Sequence, residues 1–252
     1  MKISKNLVSI SLCALLLSAC ATKETVSLPE KVQKEITSTE VYIEECDKKM
    51  KADIKSSNIT SQTGGGLLFA LIDCTVMSHR ESCAEDALVC VQKETASFDF
   101  QQKFSRRIER ALRNKNWLHV QKVNHINGLN DEKHQEIFKN TSTDCVLTSK
   151  FFYQMNPELS VLSGILYVSL YPTGEKLKKI VNATNPLETP IFKFNVSSTY
   201  SLPLSNKDIE ANAKLWVQND GVLLKQALEN IFNQVFDKME IVLNAPNHLP
   251  EV

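Results

Sequence analysis

The chain has 252 residues, 42% hydrophobic and 23% charged, and its 29 basic and 29 acidic residues cancel. That length suits one large domain or two small ones, and the composition suits an ordinary globular core. The balanced charge leaves no electrostatic footprint for nucleic acid and no polybasic patch for a membrane surface.

Lys2 and Lys5 precede an apolar run, Asn6 to Leu17, that is too short to span a bilayer. The run ends in Leu17-Ser18-Ala19-Cys20. These residues resemble the lipobox of bacterial lipoproteins: Leu at −3, small residues at −2 and −1, and Cys at +1. The resemblance implies diacylglycerol on the Cys20 thiol, cleavage before Cys20 and acylation of the new amine. Residues 1–19 therefore read as a signal peptide, 20–39 as a lipidated flexible tether, 40–245 as a single domain and 246–252 as a tail. Cleavage removes Lys2 and Lys5 and no acid, so the mature chain carries 27 − 29 = −2 and attachment rests on lipid. Ala21 occupies the position where Asp, in many enteric-type bacteria, retains a lipoprotein in the inner membrane. The expected location is the periplasmic face of the outer membrane, with the inner membrane as the alternative.

Val41-Tyr42-Ile43 reads as a short strand, and Lys51 to Ser56 as a second. Gly64-Gly65-Gly66 then breaks the chain and opens into Leu67-Leu68-Phe69-Ala70-Leu71-Ile72-Asp73, with helix expected on to about Gln92. Between Gly66 and Met77 the apolar surface exceeds one helix stripe, so burial on several sides or a partner is expected. Asp99, with Gln102 three residues on, marks the cap of a second helix whose apolar face is Phe100, Phe104, Ile108, Ala111 and Leu112. Trp117 to Val123 alternates as a strand. Leu129 to Asn140 reads as a short helix. Three strands are expected at Asp144–Met155, Glu158–Tyr171 and Pro190–Leu202. The second is apolar on both faces, which points to a central, doubly covered strand. A charged loop follows Pro172-Thr173-Gly174. Asn206 to Leu243 is a long helical pattern striped by Leu224, Leu228, Ile231, Val235 and Met239, with Asn219-Asp220-Gly221 marking a kink or split. The expected fold class is α+β: a mixed or mainly antiparallel sheet of about four strands, packed by helices that include the long C-terminal one.

Cys13 leaves with the signal and Cys20 carries lipid, which leaves Cys46, Cys74, Cys83, Cys90 and Cys145. Five is odd, so a monomer holds at least one unpaired thiol. Cys83 and Cys90 are seven apart. On one helix they lie about 10 Å apart along the axis, beyond disulfide reach. No close metal-binding pair exists among the five histidines, and no serine-hydrolase, phosphate-loop or dinucleotide glycine motif is present. No catalytic residue, metal site or cofactor is assigned. Gly64, Gly65, Gly66, Leu67, Leu68 and Phe69 form one candidate interaction segment. Arg106, Arg110 and Arg113, on one helical face, form another.

The Gly64–Asp73 segment resembles a recurring element of uncharacterised proteobacterial lipoproteins. Val168-Ser169-Leu170-Tyr171-Pro172 and Trp216 are similar to later features of the same group. The resemblance implies no activity and no functional residue. The element order is also similar to small periplasmic α/β modules, such as the N-terminal domain of the Tol translocation protein. The expected role is a membrane-anchored, non-enzymatic envelope module that binds a protein partner or assists assembly, without nucleic acid. The alternatives are an enzyme acting on envelope lipid or glycan through dispersed residues, and a lipid carrier.

Overall fold

The computed structural model describes residues 25–44, 51–52, 86–95, 100–183, 189–205 and 208–249. One half of the sheet is an antiparallel run of β4 (Cys145–Met155), β5 (Val161–Pro172) and the edge strand β6 (Phe192–Ser201), all rich in β-branched and aromatic residues. β4 and β5 pair without a slip from Cys145↔Pro172 to Met155↔Leu162. The turn between them is built on Asn156. Its side-chain oxygen accepts from the Ser160 and Val161 amides at 2.8 and 2.9 Å, and its amide donates to Ser160 Oγ at 2.9 Å. β1 (Thr39–Glu44) runs parallel to β4 on one side and to β3 (Val120–Ile126) on the other. A two-residue β2 (Lys51–Ala52) pairs with Gln154 and Met155 further along β4. The order is β3-β1-β4-β5-β6 with β2 off this path. The class is thus α+β with a mixed sheet, one or two strands larger than the expected four.

The helices are α1 (Glu30–Gln33), α2 (86–95), α3 (Phe100–Arg113), α4 (Asp131–Asn140), α5 (Glu175–Ile180) and α6 (Ile209–Asn244). Asp208 caps α6 by accepting from the Glu210 and Ala211 amides. Gln218 to Gly221 leave helical geometry, and Asn219, Asp220 and Gly221 all have positive φ, so α6 is two helical pieces with the split where the sequence placed it. The long second piece and α3 pack on one face of the sheet. There Phe104 touches Phe151, Phe232 and Phe236 with ring centroids 4.6–5.9 Å apart. Every apolar residue of the expected α6 stripe is buried, as are Phe104, Ile108, Ala111 and Leu112 of α3. The Trp216 indole, also buried, donates to the Leu159 carbonyl at 2.6 Å.

Five expectations need correction. The segment read as tether is docked from Val26 onward. Val26 bridges Lys193 on the outer edge of β6, and Leu28, Val32 and Ile36 are buried at 0–4% exposure. Their four-residue spacing is an apolar stripe hidden in polar composition; each such side chain contributes about 1.5–3 kcal/mol when buried. The tail docks too, since Pro246 is buried and its carbonyl accepts from the Leu28 amide at 2.9 Å. Trp117 lies in a 3-10 turn (Asn116–Leu118) rather than a strand, because its indole reaches the Leu243 carbonyl at 3.0 Å and packs edge-on against Phe192. The charged stretch after Gly174 is the short helix α5, anchored by buried Leu177. Finally, β5 is central, but it is fully covered on only one face. Its odd-numbered residues from Val161 to Tyr171 are half-buried or exposed. The expected cap Asp99 and the segment Gly64 to Asp73 lie outside the described residues.

Candidate interaction face

Strand alternation sends Leu162, Leu166 and Leu170 of β5 into the core and turns Ser163, Ile165, Tyr167 and Ser169 to the other face. Register then aligns side chains in rows across the sheet. One row is Glu44, Lys150, Tyr167 and Asn195. The rows beside it are Tyr42, Thr148, Ser169 and Lys193, and Phe152, Ile165 and Ser197. Lys150 Nζ meets Glu44 Oε1 at 2.7 Å, a cross-strand ion pair of opposite charges. Phe152 and Tyr167 sit diagonally and stack, with centroids 5.5 Å apart and planes 14° from parallel. Tyr167 is 37% exposed. A concavity of about 200 Å³ opens beside this row, lined by Tyr42, Glu44, Ile126, Leu129, Lys150 and Tyr167, among others.

α4 covers the opposite end of the same face. Asn130 caps it through the Lys133 amide. His134, Ile137 and Phe138, at helical spacing, are half-buried, and the His134 and Phe138 rings meet Tyr171 at 5.1 and 5.4 Å. Burial pushes the His134 imidazole below its ordinary pKa, and the nearby Asp131 charge opposes this only in part. Its Nε2 is buried and has no hydrogen-bond partner among the described residues. Beneath the C-terminal end of α4, Glu40 accepts from Asn124 Nδ2 at 2.8 Å and from Thr141 Oγ1 at 3.0 Å, and Lys122 Nζ lies 3.3 Å away. Burial alone would raise the Glu40 carboxyl. The hydrogen bonds from Asn124, Tyr42, Thr141 and Lys122 outweigh it and hold the group below the usual range. Burial, then the Glu40 carboxylate beside it, pushes the Tyr42 phenol upward. Glu40 is therefore ionised and Tyr42 protonated at neutral pH, and the Thr141 hydrogen bond to Glu40 ties the C-terminal end of α4 to β1.

Arg106, Arg110 and Arg113 are all exposed on α3, as their spacing implied, and Arg113 pairs with Glu109 at 2.9 Å. They lie on the core-covering side of the sheet, away from the Tyr167 row. Arg107, which the sequence did not single out, is held over the rings of Phe236 and Phe232 at 4.6 and 5.6 Å and donates to Asn233. It is a clamp between α3 and α6. Cys90 is exposed and Cys145 is buried, and both are free thiols. Cys20, Cys46, Cys74, Cys83 and the Gly64–Phe69 segment lie outside the described residues. Among the described residues no cluster of three His, Cys, Asp or Glu side chains could hold a metal ion, and no helix is long and apolar enough to cross a membrane. The face around Tyr167 was hidden in the sequence, because only pairing register brings Glu44, Lys150 and Tyr167 together. The signal available was β5 itself, whose second face mixes Ile165 and Tyr167 with serines.

No protein-family model matches the sequence. No curated protein matches it either. Among solved structures, a hypothetical protein from Chlamydia trachomatis is similar at 11% identity and a TM-score of 0.30, over 59% of this chain and 90% of that one. A hemagglutinin homolog from Helicobacter pylori is similar at 11% identity and a TM-score of 0.28, over 92% of this chain and 90% of that one. At these scores neither likeness bears on fold or function.

Proposed function

We propose that the protein is a periplasm-facing lipoprotein, anchored through Cys20 in the outer membrane, that binds an envelope protein through the face around Tyr167. The anchor rests on the Leu17-Ser18-Ala19-Cys20 lipobox. The observation that carries the binding role is the Phe152–Tyr167 stack, half-open to solvent and flanked by the Lys150–Glu44 ion pair. Aromatic side chains with a charged rim are the composition of a binding hot spot, where buried aromatic anchors supply affinity and flanking charges supply orientation.

Two measurements test this reading. Intact mass of the mature protein should show a chain beginning at Cys20 and carrying three acyl chains; a chain beginning elsewhere, or without lipid, removes the anchor. A photo-crosslinking amino acid at Tyr167 should trap one discrete protein adduct in intact cells, lost on Lys150→Glu. The same probe at exposed Ile241, on α6, should trap none. No adduct at Tyr167, or equal adducts at both positions, removes the binding role.

A further inference from the structure

The docking of the N-terminal segment changes what an anchor at Cys20 would do, and the inference here rests on that anchor. Val26 and Lys193 exchange both backbone hydrogen bonds, at 2.7 and 2.9 Å, so the chain is clamped antiparallel to β6 at that point. Two residues on, the Leu28 amide is tied to Pro246 and its side chain is fully buried. Cys20 and Val26 are six residues apart. Fully extended, that chain spans at most about 20 Å. A tether reaching residue 39 would have let the domain roam; one that ends at Val26 does not.

We infer that the β6 edge is the membrane-proximal edge of the domain, held within one short chain length of the bilayer that carries the lipid. The sheet order then sets the polarity of the whole module. β3 is four strand spacings from β6, or about 19 Å across the sheet. Val26 is bound to stay near the lipid surface and β3 is not. Rotation about the Val26 clamp carries β3 away from the bilayer in most orientations. The exposed residues beside the clamp, Thr25, Val26 and Ser27, face the lipid surface together with the outer edge of β6. No large basic patch is needed to bring this edge down, because chain length alone limits its distance.

The full-length lipidated protein, reconstituted in phosphatidylcholine vesicles that contain a fluorescent acceptor lipid, tests this. A donor dye is clicked onto an azide-bearing residue placed at Ser27 or at Gln121, the latter exposed on β3. The expected result is a larger loss of donor emission at Ser27 than at Gln121. Thr25, also exposed, serves as the proximal position should the Ser27 variant fold poorly. Protein that fails to float with vesicles overturns the anchor and not the geometry. Protein that floats but loses equal emission at both positions overturns the inference. A second form carries an insertion of about 30 Gly and Ser residues after Glu24, which spans roughly 30 Å as a flexible coil. It should lose most of the difference between the two positions. A difference that persists undiminished would assign the proximity to the domain's own surface and overturn the tether account.

Discussion

The backbone amide of Leu28 donates to the carbonyl of Pro246 at 2.9 Å, and this one bond joins the beginning of the described chain to its end. Leu28 itself is fully buried, beside Val32 and Ile36 in the same core. Truncating Leu28 to Ala should lower the unfolding free energy by about 2–5 kcal/mol, the range for a large-to-small change in a packed core. Lys31→Ala, at an exposed position one turn away, should stay within about 0.5 kcal/mol. Urea unfolding of the two variants decides it. A Leu28→Ala midpoint equal to wild type would return this segment to the status of a linker.

His134 gives α4 a sign in its pH dependence. Its folded pKa is depressed by burial, so the unfolded chain binds a proton more readily. The stability tied to the neutral ring is complete above the unfolded value near 6.5 and is lost as pH falls below it toward the folded value. Amide protection across Asp131–Asn140, taken relative to the exchange rate of the unstructured chain at each pH, should therefore fall on going from mildly basic to mildly acidic buffer. His134→Leu should keep the Phe138 and Tyr171 contacts and remove that fall. Unchanged protection in the wild-type protein across that interval would show that the ring does not hold α4 down.

The two described thiols should differ in reactivity. Cys90 is exposed on α2, whereas Cys145 is fully buried at the start of β4, where burial and then the Asp144 charge push its thiol upward and away from the reactive thiolate. A soluble alkylating reagent should label Cys90 in the native protein and Cys145 only after denaturation. Peptide mass mapping after a native pulse reads this directly, and native labelling at Cys145 would mean that the β4 end opens readily.

Much of the frame was legible because it depends on local periodicity. The alternation in Cys145–Met155 and Phe192–Ser201 fixes a buried face, and the Leu224–Met239 stripe fixes a helix, whatever the rest of the chain does. Asn219-Asp220-Gly221 was legible as a split for the same reason: these residue types tolerate positive φ. What failed to show depends on distant partners. Trp117 leaves the strand pattern because the Leu243 carbonyl and the Phe192 ring are there to receive it. Leu28, Val32 and Ile36 look sparse in a polar stretch until β6 and the C-terminal segment supply the walls of their site. The Glu44–Lys150–Tyr167 row exists only through the parallel register of β1 on β4 and the antiparallel register of β4 on β5.

Gly164 marks a close approach of α6 to the sheet. It lies on the core face of β5, and a Cβ built there would overlap Ile231 Cγ2 and approach Phe151 Cζ to 3.0 Å. The missing side chain is therefore what lets Ile231 of α6 seat directly against the strand, between Phe151 and the Phe232 cluster. Gly164→Ala should cost about 1–3 kcal/mol, the usual penalty for forcing a methyl group into a filled core. Ile231→Ala should cost about 2–5 kcal/mol through the cavity it leaves. The two changes are complementary, since the space vacated by Ile231 is where the new methyl group goes. The double variant should therefore be more stable than the sum of the single effects implies, by an interaction of about 0.5–3 kcal/mol. Urea unfolding of the four proteins closes the cycle. Additivity within about 0.5 kcal/mol would mean that the two positions do not touch and that α6 sits farther from β5 than this contact requires.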